Sequence, residues 1–279
     1  MTREYRHGGW DEWLQRLEGK VRGAPEVAWL DRIADRVLDK ARLRRGDSVV
    51  DLGTGHGLLA MKAARAVGPG GTVVALDSDP GCLDELRRRR DSMSIRSILT
   101  VVGRMEDLPL ESEKYSAVVC RSALTYSENL GAVVSEISRV MAPGGRFSVF
   151  EPLAGEMEWR ADEGVSLEGF LRLERIVSEE REPRPPDRES LRRAFADRFG
   201  GVESLVVHHR VTFEGMCVEE IAGEYLHDLP GEMAATQVLG RRVPGEDVMS
   251  AVSGFAREAS SGKVKGRLPC IFLWGVKAV

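Results

Sequence analysis

Apolar positions along this chain follow two different periods. Between Pro25 and Leu43, Val27, Leu30, Ile33, Ala34, Val37, Leu38 and Ala41 recur at helical spacing, which predicts an amphipathic helix with one buried face. Trp10–Leu17 reads as a shorter helix ahead of it. The pattern then changes to short unbroken apolar runs near 48–52, 72–76, 98–102, 115–121 and 146–151, with helical stretches near 58–67, 80–90 and 129–141. Apolar, β-branched runs alternating with helices predict a parallel sheet covered on both faces. Glu203–Phe213 and Cys270–Val279 read as two further strands. Around them, helix-like Leu167–Ile176 precedes a charged, proline-rich loop at Glu180–Pro186, and Cys217–His227 and Glu246–Ser260 read as helices separated by Gly and Pro turns.

The first strand runs directly into glycines. Residues 49–57 read Val-Val-Asp-Leu-Gly-Thr-Gly-His-Gly, so Asp51, Gly53, Gly55 and Gly57 form D-x-G-x-G-x-G ahead of the helix at 58–67. A chain turning tightly at a strand end needs positive φ and lets a ligand touch backbone, which only glycine permits freely. The helix start that follows offers unpaired N–H groups. A phosphate-binding P-loop would require Gly-Lys-Ser/Thr, but Gly57 is followed by Leu58-Leu59. A dinucleotide G-x-G-x-x-G from Gly53 would place its third glycine at Leu58; from Gly55 it runs through Gly57 to Ala60. The second strand ends in Asp77-Ser78-Asp79-Pro80, which sets Asp77 at the tip beside the glycine loop. An acid there is suited to accept from ribose hydroxyls; capping of the next helix is the competing role.

These segments resemble the class I S-adenosylmethionine (SAM)-dependent methyltransferases over roughly residues 45–152. The resemblance rests on the glycine motif, on Asp77, on Gly103-Arg104-Met105-Glu106-Asp107-Leu108-Pro109-Leu110, on Tyr115–Arg121 with Ser122–Tyr126, and on Glu136–Phe147, where Pro143-Gly144-Gly145 stops a helix before a strand. The last stretch is similar to the small-molecule branch that includes quinone-biosynthesis methyltransferases. The fold implied is α/β, a doubly wound, Rossmann-like seven-stranded sheet, mostly parallel with an antiparallel last strand, carrying helical insertions as a substrate cap. The cofactor implied is SAM, held by Asp51, Gly53, Thr54, Gly55, Gly57, Asp77, Ser78, Arg104, Met105, Glu106 and Arg121. Two positions depart from the resemblance. Arg104 stands where relatives carry an acid or amide that accepts from the adenine amino group, and a guanidinium cannot accept. Glu106, Asp107 or backbone near Met105 would have to replace it. Ser116 stands where the fourth strand usually carries an acid.

The domain organisation expected is an N-terminal helical lid at 1–44, a SAM-binding core at 45–152, a helical insertion at 153–186, core helix and strand at 187–213, a second insertion at 214–267 and a last core strand at 268–279. The N-terminal helix reads equally as a lid and as a helix tucked onto the core. The insertions are expected to choose the acceptor, with dimer contact or mere decoration of the core as the alternative.

Methyl transfer from a sulfonium needs alignment, exclusion of water and, for some acceptors, removal of a proton. Tyr126, after the fourth strand, and His227, in the second insertion, are the candidate catalytic residues. His56, the adjacent His208 and His209, and Glu151 are weaker candidates. The stretch Arg121–Tyr126 lacks the Asn/Asp-Pro-Pro-aromatic loop of methyltransferases that act on nucleobase amines or glutamine. A small molecule with an apolar body is therefore the expected acceptor, by an O-, N- or C-nucleophile.

Composition narrows the alternatives. With 279 residues, 42% hydrophobic and 30% charged, the chain has ordinary globular content. A net charge of −4 argues against a nucleic-acid partner, and Arg87–Arg90 sits where a helix end favours cations. Cys82, Cys120, Cys217 and Cys270 are scattered without metal-ligand spacing, so no metal is expected. No secretory leader or membrane-spanning run is read, and a reduced, cytoplasmic protein is expected. Monomer and homodimer both remain compatible. A peptide or tRNA methyltransferase, and a SAM-binding protein without methyl transfer, are the competing functions.

Overall fold

The computed structural model describes residues 25–172, 175, 186–213 and 245–278. The chain divides into two compact units. Among the described residues, the larger holds 25–152, 186–207 and 270–278; the smaller holds 153–172, 175, 208–213 and 245–269.

In the larger unit the apolar runs form β1 (Ser48–Leu52), β2 (Thr72–Asp77), β3 (Ile98–Val102), β4 (Tyr115–Arg121) and β5 (Met141–Pro152). They pair in parallel in the order β3-β2-β1-β4-β5. The Cys270–Val276 part of β8 (Val264–Val276) runs antiparallel to β5, and β7 (Glu203–Phe213) pairs with β8. This is the expected doubly wound, mostly parallel sheet with an antiparallel last strand.

Val49–Leu52 in β1 and Ala117–Cys120 in β4 are buried at successive positions, so these strands are covered on both faces. Five helices of this unit follow the sequence pattern: α1 (Pro25–Ala41), α2 (Leu58–Val67), α3 (Pro80–Ser92), α4 (Leu130–Val140) and α5 (Arg188–Ala196). The helix α1 packs on β4, β5 and α2, while α5 packs on α4. Residues three apart on β5 face opposite ways. Phe147 accordingly meets Phe195 and Phe199 at ring-centroid distances of 4.9 and 4.6 Å, whereas Phe150 meets Phe272 at 4.8 Å and Trp29 at 6.0 Å.

Pro143-Gly144-Gly145 neither stops α4, which ends at Val140, nor precedes β5; it lies inside β5. Tyr115 pairs with Met141 and the next pair is Ala117 with Arg146, so the intervening residues bulge out with Gly144 at φ 72°. The side chain of Ser116, at the position where an acid was expected, accepts the Ser48 N–H at 3.1 Å and so joins the starts of β4 and β1.

In the smaller unit, β6 (Glu158–Ala161) runs antiparallel to Val264–Arg267 of β8, a pairing absent from the sequence reading. Trp159, Phe170 and Phe255 form its aromatic cluster, with ring centroids 4.0 and 4.6 Å apart around Phe170. The α6 helix (Gly245–Ser261) approaches the helical turn at 168–172 through a glycine pair: a Cβ on Gly254 would lie 3.0 Å from the Gly169 Cα. The buried Glu258 carboxylate accepts the N–H groups of Gly169 at 2.8 Å and Phe170 at 2.9 Å, which caps that turn from outside its own segment. Trp10–Leu17, Glu180–Pro185 and Cys217–His227 lie outside the described residues.

Strand β1 lies between β2 and β4, so the strand order reverses there and a crevice opens at the carboxyl ends of these strands.

Candidate functional site

The tips of β1, β2 and β4 meet at this crevice. Beyond Leu52 the chain takes positive φ at alternate residues: 61° at Gly53, 52° at Gly55 and 86° at Gly57. The three glycines answer different demands. A Cβ on Gly53 would collide with the side chain of Ala123 and come within 4.0 Å of Met105 Sδ; one on Gly57 would collide with Leu86 of α3. A Cβ on Gly55 would meet nothing within 4 Å. Backbone is therefore bare to the crevice at Gly55, while its neighbours are packed from behind. The Thr54 N–H donates to the Leu76 carbonyl at 2.9 Å, and the Thr54 hydroxyl donates to Asp51 Oδ2 at 2.6 Å.

Asp77 at the β2 tip faces this loop. Its Oδ2 accepts the Gly55 N–H at 2.8 Å and its Oδ1 accepts the Asp79 N–H at 3.0 Å. The helix-capping role falls to Asp79, whose side chain accepts the Gly81 N–H at 2.7 Å ahead of α3. A carboxylate offers about four acceptor directions, so Asp77 keeps capacity for two more donors. Ser78 is exposed beside it.

The loop after β3 borders the same crevice through Met105 and is tied to β2 by the Gly103 N–H, 3.0 Å from the Asp77 carbonyl. Arg104 turns onto two acids, 3.5 Å from Glu106 Oε2 and 3.1 Å from Glu128 Oε2, and Glu106 Oε1 accepts the Glu128 N–H at 3.0 Å. Both carboxylate oxygens of Glu106 are thus engaged within the protein, and Asp107 is the exposed acid of this loop.

Under the strand tips lie two buried carboxylates, Asp51 and Glu151, each 1% exposed, with the half-buried Arg121 near both. Burial pushes Asp51 up to about 7, opposed by the Thr54 hydrogen bond and then by Arg121. Burial likewise pushes Glu151 up to about 7, opposed by N–H groups of the turn after β4 and by Arg121. Burial lowers Arg121, opposed by Asp51 and Glu151, and raises Cys120 well above a normal thiol. Glu151 Oε1 accepts the N–H groups of Ala123 and Leu124, both at 2.8 Å. It therefore braces the turn Leu124–Tyr126, which follows Ser122 at φ 55°. Tyr126, half-buried, ends that turn, its N–H 3.0 Å from the Ala123 carbonyl.

The remaining sequence candidates stand apart from this group. His227 lies outside the described residues. His56 is buried in the glycine loop, with its carbonyl accepting from Arg89 at 3.4 Å. His208 is exposed beside Arg267, at 3.3 Å, and His209 is half-buried. Sequence reasoning missed Ala123, whose methyl stands where a side chain at position 53 would lie, and the brace by Glu151. Neither carries a local signal, since both act across a sheet.

The groups present suit a nucleoside with a cationic chain: bare backbone at Gly55, a carboxylate with open acceptor directions at Asp77, and an excess of carboxylates below. Among the described residues no cluster of His, Cys, Asp and Glu is arranged to hold a metal ion. Nor is any described helix long and apolar enough to cross a membrane.

Fold and site together resemble a class I SAM-dependent methyltransferase domain. Residues 49–145 match the family described as "Methyltransferase domain", which spans the glycine loop, Asp77 and the Pro-Gly-Gly bulge. Demethylmenaquinone methyltransferase of Symbiobacterium thermophilum is 32% identical over 113 residues, covering 40% of this chain and 45% of that protein. Malonyl-acyl-carrier-protein O-methyltransferase of Methylococcus capsulatus is 37% identical over 140 residues, 47% of this chain and 49% of that one. The chain thus spans about half the length of these curated relatives. The solved structure of the YcgJ protein from Bacillus subtilis is similar in fold, with a TM-score of 0.56 at 16% identity, covering 88% of this chain and 98% of that chain.

Proposed function

We propose that this protein transfers a methyl group from SAM to a small-molecule acceptor. The observation that carries the reading is the joined glycine loop and Asp77, a backbone cradle and a carboxylate 2.8 Å apart with acceptor capacity turned to the crevice. When bound, SAM supplies a methyl group on a cationic sulfur, already activated for in-line displacement. Asp77 would accept from the ribose hydroxyls, with Ser78 beside it. Gly53, Thr54, Gly55 and Gly57 would present backbone to the nucleoside. Met105 would pack against the base, whose amino group goes to Asp107 or loop backbone, since Arg104 and Glu106 are engaged with each other. Asp51, Arg121 and Glu151 would set the field under the sulfonium and the amino-acid end.

Tyr126 is our candidate for orienting the acceptor, and a ring there also suits a cation; His227 is the second candidate. Acceptor choice is assigned to the insertions at 153–186 and 214–267, which fall outside the matched family segment. The matched relatives bear the names of methyltransferases with different acceptors, demethylmenaquinone and a malonyl group on an acyl carrier protein among them, which supports the reaction and leaves the acceptor to experiment. The lack of a nucleic-acid partner fits the net charge of −4, and a cytoplasmic location fits the free, buried thiols of Cys82, Cys120 and Cys270.

Calorimetry with SAM and S-adenosylhomocysteine (SAH), followed by transfer of labelled methyl to a panel of phenols, quinols, amines and carboxylic acids, tests the reading. Binding of both ligands with turnover of one acceptor class supports it. Binding with no transfer to any acceptor would favour a SAM-binding protein of another chemistry.

A further inference from the structure

The turn of α4 that faces the loop after β3 holds a side-chain pair that the cofactor reading does not use. Glu136 and Arg139 meet fork to fork, with Arg139 Nε 2.7 Å from Glu136 Oε1 and Nη2 2.7 Å from Oε2. This pair reaches across to the backbone of the loop. Glu136 Oε2 accepts the Leu108 N–H at 2.8 Å, and Arg139 Nη2 donates to the Leu108 carbonyl at 2.9 Å. Both polar groups of one residue are thereby satisfied by one ion pair, as a neighbouring strand would satisfy them. Arg139 Nη1 then donates to the Leu110 carbonyl at 2.9 Å and to the Ser112 hydroxyl at 3.0 Å.

The loop is therefore fixed at two points. The Gly103 N–H holds its start to the Asp77 carbonyl, and the ion pair holds Leu108–Ser112. The segment between them, 104–107, carries Met105 against the glycine loop and the exposed Asp107. A short loop pinned at both ends presents its own N–H and C=O groups in one arrangement, which reading the edge of a base requires. Each partner keeps the other ionised: Arg139 holds Glu136 below the usual carboxylate range, and Glu136 raises Arg139.

We propose that Glu136 and Arg139 are positioning residues of the nucleoside pocket, a clamp that fixes the loop after β3 and so sets both the affinity for the nucleoside and its preference for adenine. This rests on the SAM-binding reading. Lysine cannot replace Arg139, because a single ammonium lacks the planar fork that meets Glu136 twice and three loop acceptors besides.

The test is calorimetry on the full chain with SAH and with S-inosylhomocysteine, which differs in carrying a 6-oxo group in place of the adenine amino group. Wild type is measured first, and if it binds neither ligand the SAM-binding reading itself falls. Given wild-type binding, Arg139→Leu is expected to weaken SAH by about tenfold or more, with Arg139→Lys recovering only part, as loss of charged hydrogen bonds implies. The ratio of SAH to S-inosylhomocysteine affinity is expected to shrink in parallel. Glu136→Ala, which removes the acceptor of the Leu108 N–H and the partner that holds the Arg139 fork, supplies the second variant if Arg139→Leu does not fold, with the same weakening expected. Arg193→Ala, on the exposed face of α5, should match wild type. An unchanged SAH affinity in a folded clamp variant, or equal weakening of both ligands with the base preference intact, would overturn the proposal.

Discussion

Gly55 donates its backbone N–H to Asp77 Oδ2 at 2.8 Å, although the two residues sit at the ends of different strands. The register of β1 and β2 makes this contact possible: Leu52 pairs with Leu76, so both strands end level and the loop after one faces the tip of the other. A carboxylate that orders the glycine loop is also a carboxylate already oriented for a further donor. Cradle and acceptor are one structure, and disturbing either disturbs both.

Gly53 offers the sharpest steric test. Its φ of 61° and the methyl of Ala123 against its Cα exclude a side chain on two separate grounds. Gly53→Ala is expected to cost about 1–3 kcal/mol of stability in thermal or urea unfolding and to weaken SAH binding at the same time. Ala123→Gly combined with Gly53→Ala removes the colliding methyl and leaves the Ala123 Cα 3.8 Å away, so this double variant should recover part of the stability. No recovery would mean that backbone strain at position 53, rather than contact with Ala123, dominates.

Much of this was legible along the chain, for a physical reason. Consecutive buried residues such as Val49, Val50 and Leu52 write a parallel strand directly into the sequence, and Asp51-x-Gly53-x-Gly55-x-Gly57 records a turn that only glycine tolerates. What was hidden is non-local. β6, Glu-Trp-Arg-Ala, has one large apolar residue and exists as a strand through its pairing with Val264–Arg267. The early start of β8 was masked by Pro269 and by the alternating polar residues of 265–268. The brace from Glu151 to Ala123 and Leu124 spans 28 and 27 positions, and no spacing rule connects them.

The two buried carboxylates give stability a characteristic pH dependence. Asp51 rises from 3.8 and Glu151 from 4.5, both to about 7. The folded chain therefore holds these protons more tightly than the unfolded chain, and stability from them is greatest below their unfolded pKa values. It is lost as pH rises from about 4 to about 7 and levels off above that. In the absence of cofactor, Tm should decline across that window more steeply in wild type than in Asp51→Asn or Glu151→Gln. Identical slopes in all three proteins would show that these groups do not carry protons into the neutral range.

Glu258 is expected to matter for folding of the smaller unit. Its carboxylate satisfies the N–H groups of Gly169 and Phe170, and Phe170 is fully buried against Trp159 and Phe255. Glu258→Ala should destabilise by about 2–4 kcal/mol, since two backbone donors lose their acceptor. Hydrogen exchange at Gly169 and Phe170 checks it: unchanged protection in the variant would count against the brace.

The role proposed for Tyr126 predicts an effect on turnover and not on binding. Tyr126 ends the turn that Glu151 braces, on the β4 side of the crevice, away from the β2 tip where Asp77 stands. Once an acceptor is in hand, Tyr126→Phe is expected to lower kcat by about tenfold or more while leaving SAH affinity within about twofold of wild type, as for loss of one orienting hydroxyl. Full kcat in Tyr126→Phe would remove the hydroxyl from the reaction.

The most direct test of the central claim is the SAH dissociation constant of Asp77→Ala beside that of wild type, measured by calorimetry with Tm as a check on folding. Loss of the proposed ribose acceptor and of the bond that orders Gly55 should weaken binding by roughly a hundredfold, about two charged hydrogen bonds' worth. A folded Asp77→Ala protein that binds SAH as tightly as wild type would contradict the account, because the nucleoside would then lie somewhere other than across the tips of β1 and β2.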